Sequence, residues 1–150
     1  MGKPLTELTP EMVDILQGKT VVLLQAVEPE SQTIYSTALS WVYAIDQQTI
    51  RYAIDHKSQF IRILEENPNI VLHFIGCESV FRVAGKAKLR AAKAEDVSIN
   101  LALIEVKVEE VRDIIFFGGK ITTDPAFIKT YDEKLIEKLD REVGQAIHRL

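Results

Sequence analysis

The chain has 150 residues, of which 47% are hydrophobic and 27% charged, and its formal net charge is −4. This composition is typical of one ordinary globular domain, and a chain of this length buries roughly 70% of its unfolded surface without disulfides or metals. The negative net charge argues against duplex nucleic acid as a partner, because that partner requires a surface that neutralises many phosphates.

Metal binding and membrane insertion are also disfavoured. Cys77 is the only cysteine, which excludes an intramolecular disulfide and a thiolate zinc site. The three histidines are far apart in the sequence and form no metal-binding pair. Residues 1–8 lack the apolar core of a signal peptide, and apolar runs such as residues 21–24 are far too short to cross a bilayer. We therefore expect a cytoplasmic protein with no dedicated metal site and no membrane contact.

The first half of the chain predicts a helix, a strand and a β-hairpin. Thr9 and Pro10 suit an N-cap and a first helical position, and Gly18 suits a C-cap, so a short helix is expected over residues 10–17. The β-branched and aliphatic run from 20 to 27 predicts a strand that is buried on both faces. The two strands of the hairpin are expected at residues 33–45 and 49–54.

The second half predicts a short crossover helix, three strands and a long helix. Residues 55–58 offer turn and N-cap chemistry before apolar residues at helical spacing, and Asn67-Pro68 ends that helix. Strands are expected at residues 70–75, 80–89 and 103–111, and the last of them can continue toward Phe117. An apolar stripe that starts at Leu135 predicts a helix over residues 125–150.

These elements predict a mainly β fold with six strands, a short crossover helix and terminal helices. Strands of this kind, joined by short turns in a chain of this length, favour a small closed antiparallel barrel over an open sheet. We expect one domain over residues 1–150, with the barrel at about 10–117 and the C-terminal helix at about 125–150.

A candidate anion site lies at the start of the crossover helix. Ser58 stands where the helix begins, His56 and Lys57 precede it, and Arg62 follows one turn later on the same face. A hydroxyl, nearby cations and a helix N-terminus together suit a phosphate monoester. The same residues describe a capped helix with solvated charges equally well. Trp41 is most simply a core residue, although a flat aromatic side chain near polar neighbours can also border a planar ligand.

The order of these parts resembles the pyridoxamine 5'-phosphate oxidase-like, FMN-binding split-barrel family over about residues 10–117. The similarity is carried by residues 16–19, 36–43, Ser58, 66–68 and 82–87, in this order and spacing. It implies a six-stranded split barrel that forms a homodimer, with two FMN molecules in clefts between the subunits and oxidoreductase activity on an unknown small molecule.

The resemblance also implies where the cofactor lies. Relatives place the flavin ring along the strand that corresponds to residues 37–42, and they hold the phosphate at the start of the crossover helix. The cofactor-binding residues would then be Thr37, Ser40, Trp41, Val42, Ile54, Asp55, Lys57, Ser58, Gln59 and Arg62.

Two departures from the family leave alternatives open. Relatives commonly have Arg or Lys at the two positions where this chain has Gln59 and Phe60, so the positive charge would come from Lys57, Arg62 or a partner chain. The vitamin-forming oxidase also carries an extra basic C-terminal segment, so we do not expect oxidation of pyridoxamine phosphate. The alternatives are a deazaflavin in place of FMN, or a flavin-free barrel that serves as a binding module for another protein or for haem. The axial haem ligand would then be His56, His73 or His148.

Overall fold

The computed structural model describes residues 3–150, which form seven strands and three helices. In chain order they are α1 Pro10–Ile15, β1 Val22–Val27, β2 Ile34–Leu39, β3 Val42–Asp46, β4 Thr49–Asp55, α2 Gln59–Glu66, β5 Asn69–Gly76, β6 Ser79–Ala91, β7 Leu101–Asp113 and α3 Glu133–Arg149. No helix within this part of the chain is long and apolar enough to cross a membrane.

The seven strands form one antiparallel sheet. Their order is β2-β1-β5-β6-β7-β4-β3, so β2 and β3 are the two edges. Only Ser40 and Trp41 separate these edge strands in the chain, which brings the two ends of the sheet together at one corner. The segment after α1 covers the edge of β3, where the Gly18 N–H donates to the carbonyl of Val42 at 3.0 Å. The prediction of a mainly antiparallel β fold is therefore confirmed, and the segment after α1 protects one of the two edges.

The structure corrects three details of the predicted elements. The sheet has seven strands rather than six, because residues 33–45 bend at Ser40 and Trp41 into β2, which pairs with β1, and β3, which pairs with β4. β7 ends at Asp113 and does not continue to Phe117. α3 begins at Glu133 rather than at residue 125, because the Asp132 carboxylate accepts the Leu135 N–H at 3.2 Å and caps the helix there.

The apolar side chains form two clusters. The first fills the barrel, and α2 closes one end of it with Phe60, Ile63 and Leu64. The second lies outside the barrel, where α3 packs on β3, β4 and β7. Its buried members are Tyr43, Ala53, Leu101, Leu103, Val143, Ala146 and Ile147. α3 is thus attached to the outer surface of the barrel, next to the corner that joins β2 and β3.

A buried hydroxyl fixes the end of β7. Ser79 is 6% exposed, and its Oγ donates to Asp113 Oδ1 at 2.6 Å, while the same oxygen accepts the Ile115 N–H at 3.2 Å. The hydrogen bond from Ser79 lowers the pKa of Asp113 below its ordinary value. The ionised carboxylate therefore stabilises the folded state above about pH 4, and this contribution is lost as the pH falls through the lowered pKa.

We expect Ser79→Ala to lower the free energy of unfolding by about 1.5 kcal/mol at pH 6, the lower end of the range for a hydrogen bond to a charged group, because the Asp113 carboxylate is only half-buried. The difference from the unmodified protein should shrink as the pH falls from 5 to 2.5, because Asp113 becomes protonated in both proteins. Urea unfolding at a series of pH values measures this. A difference that stays constant down to pH 2.5 would mean that the hydroxyl acts through packing and not through the carboxylate.

Candidate functional site

The start of α2 presents donors for an anion. Ser58 caps the helix, since its Oγ accepts the Phe60 N–H at 3.2 Å and its carbonyl accepts the Ile61 N–H at 3.1 Å. The Ser58 hydroxyl hydrogen is left free to donate outward. The carboxylate of Asp55 accepts the Lys57 N–H at 2.8 Å and shapes the turn, and the Lys57 side chain is exposed beside it. The hydroxyl, the ammonium group and the helix N-terminus together suit a single anionic group.

His56 is fixed against the loop before β7. Its Nδ1 lies 3.1 Å from the carbonyl oxygen of Asn100 and 3.4 Å from a carboxylate oxygen of Asp55, and the backbone N–H of His56 donates to the same carbonyl at 3.2 Å. A proton on Nδ1 satisfies the carbonyl and leaves Nε2 as an acceptor. His56 therefore stands at the edge of the candidate anion site with one ring nitrogen available.

Arg62 has a different environment from the one predicted. It lines a concavity of about 340 Å³ together with three acidic residues, Glu28, Glu30 and Glu66. The pKa of Glu28 is lowered, mainly by hydrogen bonds from Ser31 and in smaller part by the charge of Arg62. The three acidic side chains that share this concavity reduce the positive potential that Arg62 can offer to an anion at Ser58.

Trp41 is held by the C-terminal part of the chain. Its indole Nε1 donates to Asp140 Oδ1 on α3 at 2.8 Å. Lys129 pairs with the same oxygen at 2.5 Å, and its Nζ lies 4.4 Å from the centre of the Trp41 ring. This combines a hydrogen bond, an ion pair and a cation–π contact. The outward side of Trp41 is thus occupied by this chain's own residues.

The other predicted cofactor-binding residues fall into two groups, those on the inner side of the sheet and those exposed at the surface. Val42 and Ile54 are buried in the barrel core, and Thr37 lies opposite the buried Leu24 on the inner side of the sheet. These three can offer only backbone groups to a ligand outside the barrel. The remaining predicted residues are exposed or half-buried near the start of α2 and the β2–β3 corner: Ser40, Asp55, Lys57, Ser58 and Gln59.

Sequence reasoning missed the residues that anchor α3. Arg51 donates from Nε to Glu105 at 2.9 Å and from Nη1 to the carbonyl of Ile147 near the end of α3, also at 2.9 Å. Arg90 donates to the same Glu105 carboxylate at 2.8 Å. The period-two pattern places Arg51 on the outer face of β4, but nothing in the sequence indicates that its partner is a helix end 96 residues away.

The environment of Cys77 does not favour a reactive thiolate. Burial, and then the carboxylates of Glu11 and Asp124, raise the pKa of Cys77 to about 11, so it is a protonated thiol at neutral pH. Within residues 3–150, no group of three His, Cys, Asp or Glu side chains is arranged to hold a metal ion.

Comparison with known proteins shows what the chain resembles. Residues 8–115 match the family model described as pyridoxamine 5'-phosphate oxidase. No curated protein sequence matches the chain.

Several solved structures are similar in fold. HupZ from Group A Streptococcus is 16% identical with a TM-score of 0.59, over 77% of this chain and 99% of that one. A putative pyridoxamine 5'-phosphate oxidase from Lactobacillus delbrueckii is 15% identical with a TM-score of 0.55, over 72% and 99% of the two chains. A protein named F420 reductase is 17% identical with a TM-score of 0.54, over 69% and 98%. At these identities the likeness shows a shared fold.

Proposed function

The chain belongs to the pyridoxamine 5'-phosphate oxidase family, and on this basis we propose that it is a homodimeric, FMN-binding oxidoreductase that acts on a small molecule. The observation that carries the proposal is the family match, because residues 8–115 include every residue of the candidate cofactor site. In flavin enzymes the cofactor performs the hydride chemistry, and the protein supplies position and polarity. An assigned catalytic side chain is therefore not required for this function.

The residues at the start of α2 fit the phosphate of FMN. Ser58 offers a hydroxyl donor, Lys57 an ammonium group and Gln59 a side-chain amide, all at the N-terminus of an eight-residue helix. Charge-assisted hydrogen bonds of this kind each contribute about 1.5–3 kcal/mol. The negative charge of Asp55 opposes the charge of Lys57, so we expect the affinity to depend strongly on these two neighbours.

The flavin ring of FMN would lie at the corner between β2 and β3. There the backbone at Ser40 and Trp41 can meet the edge of the flavin ring, while the Trp41 side chain stays with Asp140 and shields one side. The bound flavin supplies hydride transfer, and the protein positions it and limits its contact with water.

Binding of FMN is tested most directly at Ser58. We expect Ser58→Asp to lower the FMN affinity at least a hundredfold, because aspartate keeps the helix cap but places a negative charge at the phosphate. Lys57→Gln should lower the affinity tenfold or more, because one charge-assisted contact of about 1.5–3 kcal/mol is lost. Titration followed by flavin fluorescence gives the affinities, and circular dichroism checks that the variants fold.

Arg62→Gln is the matched control. It removes a cation from the same helix, but one that lies among Glu28, Glu30 and Glu66, so the FMN affinity should change by less than threefold. An Arg62 variant that binds as weakly as the Lys57 variant would mean that the phosphate lies elsewhere. An unmodified protein that takes up no FMN would refute the function itself.

A second candidate function is a flavin-free barrel that binds another molecule. It is favoured by one observation: α3, Asp140 and Lys129 already cover Trp41, and α3 buries Ala53 on the adjacent strand. The visible absorption spectrum of the purified protein separates the candidates, because flavin, deazaflavin, haem and empty protein differ plainly. If haem is bound, substitution of the histidines identifies its axial ligand. His56, which has a free Nε2, and the half-buried His73 are the first to substitute. His148 follows, because its Nδ1 contacts the carbonyl of Gly144.

A further inference from the structure

A fixed turn after β7 exposes two phenylalanines. Phe116 is 75% exposed and Phe117 is 95% exposed. The turn is nevertheless tied to the barrel, because the N–H of Ile114 donates to the carbonyl of Val80 at 2.8 Å and the N–H of Ile121 donates to the carbonyl of Glu78 at 2.9 Å. We call the pair Phe116 and Phe117 the knob. Two adjacent aromatic side chains held outward in this way are typical of a contact surface.

The same chain has a shallow groove on its outer surface, with a volume of about 390 Å³. The residues that line it include small ones on β5 and β6, namely Val71, Ala84 and Gly85. A cavity of about 150 Å³ accepts one benzene ring, so the groove has room for two phenyl rings. Arg82 lies at its border, where a guanidinium can face an aromatic ring. The groove therefore fits the knob in size and in chemistry.

The knob and the groove lie at opposite ends of the β5–β6 pair. The knob is attached beside the tight turn between Gly76 and Ser79, whereas the groove surrounds the other end, where Asn69 pairs with Lys86. Val80 and Gly85 are separated along β6 by roughly 16 Å, at about 3.3 Å per residue. A knob tied to Val80 therefore does not lie in the groove of its own chain.

A second copy removes this separation. If two copies pack these outer faces together with their strands antiparallel, a two-fold axis near His73 and Arg82 brings the knob of each copy over the groove of the other. Such a contact is self-complementary and closed, as a two-fold interface must be.

We propose that Phe116 and Phe117 of one copy insert into the β5–β6 groove of a second copy, so that the dimer contains two identical knob-in-groove contacts. The proposal rests on the homodimer proposed above and identifies the surfaces that form it. A buried aromatic side chain contributes roughly 150–250 Å², so four phenylalanines supply roughly 600–1,000 Å². A standard interface buries about 1,600 Å² in total, and the groove walls and the exposed Leu23 and Ile34 on the same face supply further area.

Sedimentation of two variants tests the proposal from both sides. Phe116→Ser with Phe117→Ser removes the knob, and Val71→Arg fills the groove from a half-buried position on the outer face. We expect the unmodified protein to be a dimer at micromolar concentration and each variant to be a monomer. Ile99→Ser is the matched control, since Ile99 is an exposed apolar residue in the loop before β7, and it should leave the dimer intact.

Disulfide cross-linking tests the contact itself. In a Cys77→Ser background, the pair Phe117→Cys and Val71→Cys should give a covalent dimer on mild oxidation, and the pair Ile99→Cys and Val71→Cys should not. A dimer that persists without the knob and does not cross-link would overturn the knob-in-groove contact while leaving the homodimer intact. An unmodified protein that is a monomer would overturn the homodimer first.

Discussion

Gly85→Ala is expected to lower the free energy of unfolding by about 2–3 kcal/mol, a large part of the total stability of a domain of this size. A Cβ at this position would stand only 2.3 Å from the carbonyl oxygen of Lys107 and 2.8 Å from Cγ1 of Val106. The first neighbour is backbone and the second belongs to a fully buried side chain, so neither can move away without opening the sheet. The cost arises from forced separation of β6 and β7.

The local register explains why this position requires glycine. Ala84 pairs with Glu110 and Gly85 pairs with Val108, so β7 has one extra residue, Glu109, at this point. Such a bulge bends the strand and brings the Lys107 carbonyl close to β6. Because β6 and β7 are the two longest strands of the barrel, an error here affects the central pairing of the sheet.

Gly118→Ala is the control, because it replaces a glycine by alanine where no steric clash is expected. Gly118 has φ of +82°, but a Cβ at this position would have no neighbouring atom within 4 Å, so alanine should cost only about 1 kcal/mol of backbone strain. The midpoints of urea unfolding give both values. Equal losses at Gly85 and Gly118 would contradict the steric explanation.

Local signals predicted most of the elements. The Thr9 cap and the Ser58 cap both accept the backbone N–H that their positions imply, at 3.2 Å in each case. The strands predicted from periodicity at residues 49–54 and 103–111 are also present, as β4 and β7. These features depend on neighbouring residues only, so one sequence is enough to identify them.

The errors arose where distant parts of the chain decide the outcome. Residues 33–45 have continuous β character, and only the pairing of Leu23 with Ala38 on one side and of Tyr43 with Arg51 on the other divides them into two strands. The start of α3 is a separate, local error: the N-cap signal Asp132-Glu133 stands just before the apolar stripe from Leu135, but the prediction began the helix at residue 125.

The candidate site shows the same division. The cap at Ser58 follows from the residues around it, and so does the exposure of Lys57 and Gln59. The surroundings of Arg62 depend on the loop after β1, and those of Trp41 depend on Asp140, which is 99 residues away. A sequence identifies residue types that suit an anion, but the net potential at the site depends on contacts between distant segments.

The second large effect is expected for Val143→Asp. Val143 has no exposed surface and lies in the cluster outside the barrel, in contact with residues of β3 and β4. A carboxylate without a partner is unfavourable there by several kcal/mol, and α3 can avoid this cost by detaching from the barrel. The barrel core forms a separate cluster, so we expect the sheet to remain folded.

Trp41 reports the detachment directly, because it is the only tryptophan and its indole N–H is bonded to α3. Its fluorescence should shift to longer wavelength in Val143→Asp, while far-ultraviolet circular dichroism retains the β signal. Gln145→Asp is the matched control, since it places the same side chain on the exposed face of the same helix and should change neither signal. An unchanged Trp41 spectrum in Val143→Asp would mean that the helix does not depend on this contact.

The same variant decides how α3 relates to the cofactor site. The proposed function requires that FMN and α3 occupy the corner together. In that case the FMN affinity of Val143→Asp should stay within about threefold of that of the unmodified protein, or should fall because the shield over Trp41 is lost. If α3 lies where the ring would bind, detachment should raise FMN uptake tenfold or more, a change of about 1.4 kcal/mol. A rise of that size, absent in Gln145→Asp, would favour the flavin-free function and would make α3 the element that excludes the flavin.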